Sequence, residues 1–137
     1  MYQRLMLFCF ALATSVAANQ FLTTCWNPGL TTDGRTLIAE CTYKHENKTE
    51  QVFKSAVDLN RCLRFNDDGD LAPAANGFFR DKVQLCQLEH PATLNCSRKD
   101  KGRVTFELNN VVFNDDGILG CTNYTGVPIE SIMKHSD

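Results

Sequence analysis

The sequence predicts an all-β fold made of two similar units, and three observations support this prediction. Short segments of alternating apolar and polar residues are separated by turn dipeptides, and no convincing amphipathic helix occurs before the C-terminal segment. A stretch of roughly a dozen residues occurs twice, which indicates two related structural units. Six cysteines, an even number, follow a segment typical of an export signal, a pattern found in small disulfide-stabilised domains.

The first 18 residues have the three parts of a signal peptide. Arg4 supplies a positive charge, residues 5–13 form an apolar run, and small residues suit cleavage before Asn19. Removing these 18 from 137 residues leaves 119, enough for one domain, which we place at 19–121 with a C-terminal tail at 122–137. No later segment is apolar enough to cross a membrane, so the sequence predicts a secreted, extracellular protein.

The charge of the mature chain excludes two classes of partner. Without Arg4, 13 basic residues face 16 acidic residues, which leaves a net charge near −3. The basic residues are scattered among acids, so the sequence predicts binding to neither nucleic acid nor a membrane surface.

The cysteines predict three disulfide bonds, but their spacing alone leaves the pairing open. The six that remain after cleavage are Cys25, Cys41, Cys62, Cys86, Cys96 and Cys121. No two of them have the short spacing of a zinc site, and the histidines are dispersed, so we predict no metal.

Strands and turns can be placed along the chain. Alternation predicts strands at 36–43, 52–59 and 103–108. Polar or Pro- and Gly-containing segments predict turns and loops at 26–29, 32–34, 44–51 and 71–77, the last of which joins the two halves. The phenylalanines predicted for the core are Phe53, Phe78, Phe79, Phe106 and Phe113.

The repeated stretch is found at 58–71 and 107–119. Both copies read acidic-Leu-Asn, then a short apolar patch, then Phe-Asn-Asp-Asp-Gly-x-Leu, and the first copy has one extra residue. Each predicts a single helical turn after the Leu and a tight turn at Asp-Gly. Solvated turns are the simplest interpretation of the acidic clusters. A calcium loop is excluded because Arg64 and Val112 stand where the first acidic ligand is required.

Three sequons predict glycan acceptors, at Asn47, Asn95 and Asn123. Asn95 is the poorest of them because it abuts Cys96.

Taken together, the motifs resemble the cyanovirin-N homology family. The first half contains Phe-x-x-Thr-Cys at 21–25, Leu-x-Ala-x-Cys at 37–41, Val-Asp-Leu-Asn at 57–60 and Asn-x-Asp-Gly-x-Leu at 66–71. The second half repeats this order up to about Cys121. The resemblance implies two pseudo-symmetric halves, about 21–71 and 78–121, each with a three-stranded sheet and a hairpin. Strands would be exchanged between the halves.

The resemblance also implies the disulfide bonds. Cys25–Cys41 and Cys86–Cys96 would each lie within one half. With these pairs formed, Cys62 and Cys121 remain for a bond between the halves.

Members of the family are lectins for mannose-type glycans, without metal, cofactor or catalysis. The resemblance therefore implies mannose-type oligosaccharides or glycoproteins as partners of a monomeric protein. Pairs of sugar hydroxyls are bound by carboxylate and amide oxygens and by hydroxyl donors. The residues of this chain at the corresponding positions are Thr23, Thr24, Thr42, Lys44, Asn114, Asp115 and Asp116.

The family's second pocket is predicted to be altered or inactive here. Its remaining candidates are Arg64, Asn66 and Asp68, where Arg64 adds bulk and charge. The cysteines of this half, Cys86 and Cys96, are only 10 residues apart, compared with 16 in the first half.

The residues support no enzymatic function, because no catalytic motif or facing pair of carboxylates is present. Two hypotheses remain: a secreted lectin, and a secreted scaffold of the same fold that has lost sugar binding and acts through protein or cell-wall contacts. Trp26 could stack on a sugar, but packing over the Cys25 bond is the simpler interpretation.

Overall fold

A computed structural model of the chain describes residues 20–44, 49–100 and 102–129. The predicted signal peptide and the Asn47 sequon lie outside this part, as do residues 130–137 of the predicted tail. The described residues form short β-strands linked by turns and single 3₁₀ turns, with no α-helix among them. The strands are β1 Cys25–Leu30, β2 Thr36–Tyr43, β3 Gln51–Asp58, β4 Leu63–Phe65, β5 Leu71–Pro73, β6 Val83–Glu89, β7 Thr93–Arg98, β8 Arg103–Glu107, β9 Val112–Asp115, β10 Ile118–Cys121, β11 Tyr124–Thr125 and β12 Val127–Pro128.

Two antiparallel three-stranded sheets form the halves, β1-β2-β3 and β6-β7-β8. The predicted alternation of β2 is confirmed, because Leu37, Ala39 and Cys41 are fully buried while their neighbours are partly exposed. Side chains on one face of each sheet thus enter a common core.

The hairpins are exchanged between the halves, as the resemblance implied. The β9–β10 hairpin, from the second half of the chain, packs on β2 and β3 of the first sheet. There the Leu119 N–H donates to the hydroxyl oxygen of Ser55, which is fully buried, at 2.9 Å. The β4–β5 hairpin likewise packs against β8. Each half therefore needs the other to complete its core.

Three disulfide bonds have the implied pairing. Cys25–Cys41 and Cys86–Cys96 each connect paired strands, with Cα atoms 4.0 Å apart in both cases. Cys62–Cys121 connects the two halves.

The repeated stretch forms the predicted turns. The Leu residue of each copy is fully buried and begins a 3₁₀ turn, Leu59–Arg61 in the first copy and Leu108–Asn110 in the second. The hairpins that end the two copies differ. Leu119 pairs with Asn114, but Leu71 pairs with Phe65, so the two hairpins differ in register by one residue.

Residues 122–129 of the predicted tail include two short strands that pair with the domain. Strand β11 pairs with β10, and β12 pairs with Ser55 and Ala56 of β3, so the tail adds a fourth strand to the first sheet. Gly126 makes this docking possible, because a Cβ at this position would lie 2.0 Å from the carbonyl oxygen of Ala56.

Two further sequence predictions are corrected. Residues 26–29, predicted as a turn, belong to β1, which has a bulge between Trp26 and Gly29. Phe78, predicted for the core, is 53% exposed, whereas Phe79 is fully buried. The backbone of Phe78 is left-handed, with φ of 52°, so its side chain points in a different direction from that of Phe79.

Candidate functional site

The tip of the β9–β10 hairpin lies against the first sheet, and the side chain of Asn114 connects the two. Its amide nitrogen donates to Thr24 Oγ1 at 3.0 Å and to the Thr42 carbonyl oxygen at 2.9 Å. Its amide oxygen accepts from the Gly117 N–H at 2.7 Å. One side chain therefore holds three separate segments of the chain in fixed positions.

The threonines predicted for the site lie side by side with Asn114. The Thr42 N–H donates to the Thr24 carbonyl oxygen at 3.0 Å, and the Thr23 hydroxyl donates to the Gln20 carbonyl oxygen at 2.8 Å. Thr24 Oγ1 accepts from Asn114, so its own proton is left to donate outward. Thr23 and Thr24 are exposed and Thr42 is half-buried, so they form a polar strip on the surface.

Asp115 and Asp116 are exposed at the hairpin tip. Asp116 and Gly117 have φ values of 49° and 93°, which is the two-residue turn that the Asp-Gly dipeptide favours. Asp115 Oδ2 accepts from the Thr125 hydroxyl of the tail at 3.1 Å. Among the described residues, no side chain or backbone donor bonds to the Asp116 carboxylate, which leaves both oxygens to accept from a ligand.

The aromatic side chains of Phe53 and Tyr43 pack against this turn. A Cβ on Gly117 would lie 2.8 Å from the Phe53 ring and 3.1 Å from Tyr43 Cβ. The Tyr43 and Phe53 rings pack edge to face at 5.7 Å. Lys44, the last predicted member of the site, is exposed directly after β2. The structure thus brings the threonines and Asn114–Asp116 together, with Lys44 at the margin.

In the other half, Arg98 packs against Gly69 in the way that Phe53 and Tyr43 pack against Gly117 in the first half. A Cβ on Gly69 would lie 2.8 Å from a guanidinium nitrogen of Arg98, and the guanidinium lies 6.0 Å from the centre of the Phe65 ring. The Asn66 amide oxygen accepts from Arg64 Nε at 2.6 Å, and within the described residues its amide nitrogen has no partner on the sheet. Asp68 Oδ1 accepts from the N–H of Asp70 at 3.2 Å. Arg64 and Asn66 thus bond to each other and Asp68 bonds within its own turn, so this half lacks the contact between asparagine and sheet that the first half has.

Sequence reasoning missed a groove of about 910 Å³ between strands β1 and β6. We call it the β1–β6 groove. It lies between equivalent strands of the two halves and includes none of the predicted sugar-binding residues in its wall. Trp26 lines it and is 39% exposed, so packing over the Cys25 bond does not bury the indole. The sequence signal was this tryptophan itself, for which sugar stacking was the second interpretation.

The two described sequons differ in accessibility. Both amide atoms of Asn95 are engaged, since its nitrogen donates to Glu89 and its oxygen accepts from Arg103 Nε. Asn123 is exposed in the turn between β10 and β11.

The described residues contain no group of three or more His, Cys, Asp or Glu side chains placed to hold a metal ion. In the same part of the chain, no helix has the length and apolarity needed to span a membrane.

Comparisons with known proteins agree on one family. The sequence profile of the CVNH domain matches residues 21–120. Five chains of solved structures match, among them the structure of TbCVNH, the CVNH protein of T. borchii. That chain is 26% identical to this one, and the match, with a TM-score of 0.57, covers 75% of this chain and 99% of that chain. No curated protein sequence matches.

Proposed function

Because the chain belongs to the CVNH domain family, we propose that it is a lectin that binds mannose-type oligosaccharides at the tip of its β9–β10 hairpin. The family and the fold support a lectin-like, carbohydrate-binding domain. The proposal adds the class of sugar and the residues that bind it.

The observation that carries the proposal is the position of Asn114. Its bonds to Thr24 and Thr42 place the hairpin tip beside the threonine strip, although these residues are distant in sequence. The hydroxyls of one pyranose ring are close neighbours, so a ligand of this kind needs donors and acceptors within a few ångströms of one another. The Thr24 hydroxyl and the Asp116 carboxylate supply both kinds of group on one surface.

Asp116 is the residue that we expect to contribute most. A carboxylate accepts hydrogen bonds from two adjacent hydroxyls, and bonds to a charged acceptor are stronger than bonds to a neutral one. Its left-handed backbone is fixed by the turn and by the packing of Gly117 on Phe53. Little conformational entropy is therefore lost when a sugar binds.

One working hairpin site is expected rather than two. Asn66 accepts from Arg64, and within the described residues its side chain makes no bond that would fix its loop to the second sheet. Without a second site of this type, the protein lacks the gain in avidity that two linked sites provide. We propose a monomer with a single sugar site of this type.

Retention on immobilised mannan, with elution by free mannose oligosaccharides, tests the proposal. Asp116→Ala should weaken binding at least about tenfold, the loss of one or two charge-assisted hydrogen bonds. Asp68→Ala is the matched control, because Asp68 occupies the same place in the other copy of the repeat and should leave binding unchanged. Unaltered retention of Asp116→Ala, or equal losses in both variants, would contradict the assignment.

The alternative function is a scaffold that has lost sugar binding and acts through protein or cell-wall contacts. The observation that favours it is the altered second copy of the site, in which the side chain of Asn66 bonds to Arg64 rather than to the neighbouring sheet. It predicts that the folded wild-type protein passes through mannan and other glycan columns without retention.

Secretion and glycosylation are part of the same proposal. They are supported by the leader-like first 18 residues and by the three disulfide bonds of the described fold. Peptide mapping of protein recovered from the medium of eukaryotic cells should find an N-terminus at Asn19 and a glycan on Asn123, but none on Asn95.

A further inference from the structure

We propose that the β1–β6 groove is a second sugar-binding site, in which Trp26 stacks on a pyranose ring. This inference rests on the proposed lectin function, but it concerns a separate surface. No residue of the Asn114 hairpin or of the threonine strip lines the groove.

The groove has the size and rigidity of a ligand site. Its volume of about 910 Å³ lies within the range of pockets that hold small organic ligands, and it is larger than a single sugar ring requires. The half-cystines Cys25 and Cys86 line opposite sides, and each belongs to a disulfide bond of its own half. Both walls are therefore fixed before a ligand arrives.

The chemistry of the wall suits a carbohydrate. An exposed indole offers a flat apolar face to the C–H groups of a pyranose, and amide and carboxylate groups beside it bind the hydroxyls. Gln87 lies in the wall, and within the described residues neither its amide nor the Trp26 indole N–H has a hydrogen-bond partner. Glu89 accepts from Asn95 through Oε1, which leaves Oε2 for a ligand.

A peptide that adds to the strand edges is a poorer fit. Such a ligand needs a regular row of backbone donors and acceptors, but both edges are irregular. Strand β1 has a bulge between Trp26 and Gly29 and lacks the N–H of Pro28, and β6 has a bulge between Val83 and Cys86. Side chains, rather than backbone, therefore dominate recognition.

Tryptophan fluorescence gives a specific readout, since Trp26 is the only tryptophan of the chain. We expect mannotriose or chitotriose to shift and saturate the emission of the wild-type protein, and to do so equally in Asp116→Ala. Gln87→Ala should weaken this response several-fold. The proposal would be overturned if neither sugar produced a saturable change in fluorescence. It would also be overturned if Asp116→Ala abolished the response.

Calorimetry with the same trisaccharides, carried out in the Asp116→Ala background, tests whether stacking on Trp26 contributes to binding in the groove. Trp26→Ala should weaken binding at least about tenfold, as expected for a central aromatic contact, and Trp26→Phe should recover part of the loss. Phe78→Ala, which removes another exposed aromatic side chain, is the matched control and should have no effect. Binding that Trp26→Ala leaves unchanged in this background would refute the groove site, whereas mannan retention of the wild-type and Asp116→Ala proteins tests the hairpin site separately. Weaker mannan retention of Asp116→Ala, together with an intact fluorescence response, would assign the two sites separately.

Discussion

The side-chain amide of Asn114 donates a hydrogen bond to the hydroxyl oxygen of Thr24 at 3.0 Å, although 90 residues separate them in the chain. This bond joins the hairpin of the second half to the segment that begins the first half. The same amide group reaches Thr42, so the hairpin tip is fixed to the sheet at the place where the proposed sugar site lies. The packing of the exchanged hairpin on the first sheet and the assembly of the proposed sugar site therefore both depend on Asn114.

Replacing Asn114 should reduce both stability and sugar binding. Asn114→Ala leaves the Thr42 carbonyl oxygen and the Gly117 N–H without their partner, which should lower the free energy of unfolding by about 1–3 kcal/mol. Denaturant unfolding measures the stability, and mannan retention measures the binding.

Asn66→Ala is the control for this prediction, because Asn66 stands at the same place in the repeat but accepts only from the exposed Arg64 side chain. Its effect on stability should stay within about 0.5 kcal/mol. If the two substitutions lowered the free energy of unfolding equally, the hydrogen bonds from Asn114 to the first sheet would contribute nothing to stability.

Much of the fold could be predicted from the sequence, because it follows from local patterns. The Asp116-Gly117 dipeptide specifies its own turn, and the alternation of 36–43 specifies the buried face of β2. The pairing of six cysteines is a property of the tertiary fold, and it followed only from the family resemblance. The resemblance also named the residues that meet at Asn114.

Other features could not be predicted, since they depend on contacts between distant residues. The docking of the tail on β3 requires close approach of Gly126 to Ala56, and two short strands give little periodic signal. The packing of Gly69 on Arg98 depends on where the long side chain of Arg98 lies, which its position in β7 does not specify. The β1–β6 groove arises only when the two halves meet.

The disulfide bond between the halves should contribute most to stability. Cys62–Cys121 closes a loop of 59 residues, whereas Cys86–Cys96 closes one of 10. Loop-closure entropy predicts losses of about 4 kcal/mol for the Cys62→Ala/Cys121→Ala pair and about 2.7 kcal/mol for Cys86→Ala/Cys96→Ala. Thermal and denaturant unfolding of the two double variants should show this order. The reverse order would indicate that the short bond supports the native sheet itself, beyond its effect on the unfolded chain.

Arg98 should be replaceable without loss of stability. Its Nε is buried and has no partner within the described structure, a condition that costs about 1–3 kcal/mol. Its ion pair with Asp100 is exposed and contributes little. Arg98→Met keeps an apolar stem over Gly69 and Phe65, so we expect unchanged or slightly higher stability, by up to about 1 kcal/mol in urea unfolding. Arg98→Ala removes the stem and should be less stable than Arg98→Met. A Met variant that unfolds as readily as the Ala variant would contradict this account.

Asp58 should make stability depend on acid pH. Burial raises the pKa of its carboxyl group, but hydrogen bonds from Arg35 and the Asn60 N–H, with the charges of Arg35 and Arg61, outweigh burial and hold the pKa below its ordinary value of 3.8. Arg35 forms two bonds to the carboxylate, at 3.0 and 2.7 Å. Because the pKa of Asp58 is lower in the folded state than in the unfolded chain, its ionised carboxylate raises the free energy of unfolding at pH values above the unfolded-state pKa. This contribution is lost as the pH falls through the folded-state pKa.

Asp58→Asn tests the pH dependence, because asparagine keeps an acceptor for the Asn60 N–H but has no charge. At neutral pH the variant should be less stable than the wild-type protein, and the difference should narrow as the pH falls below 3.8. Urea unfolding at a series of pH values measures it. For Arg35→Met, the difference in stability from the wild-type protein should narrow in the same way. The Arg35→Met/Asp58→Asn double variant should be little less stable than either single variant, since both substitutions remove the same interaction. A stability difference that stays constant far below pH 3.8 would mean that the charge of Asp58 does not stabilise the fold.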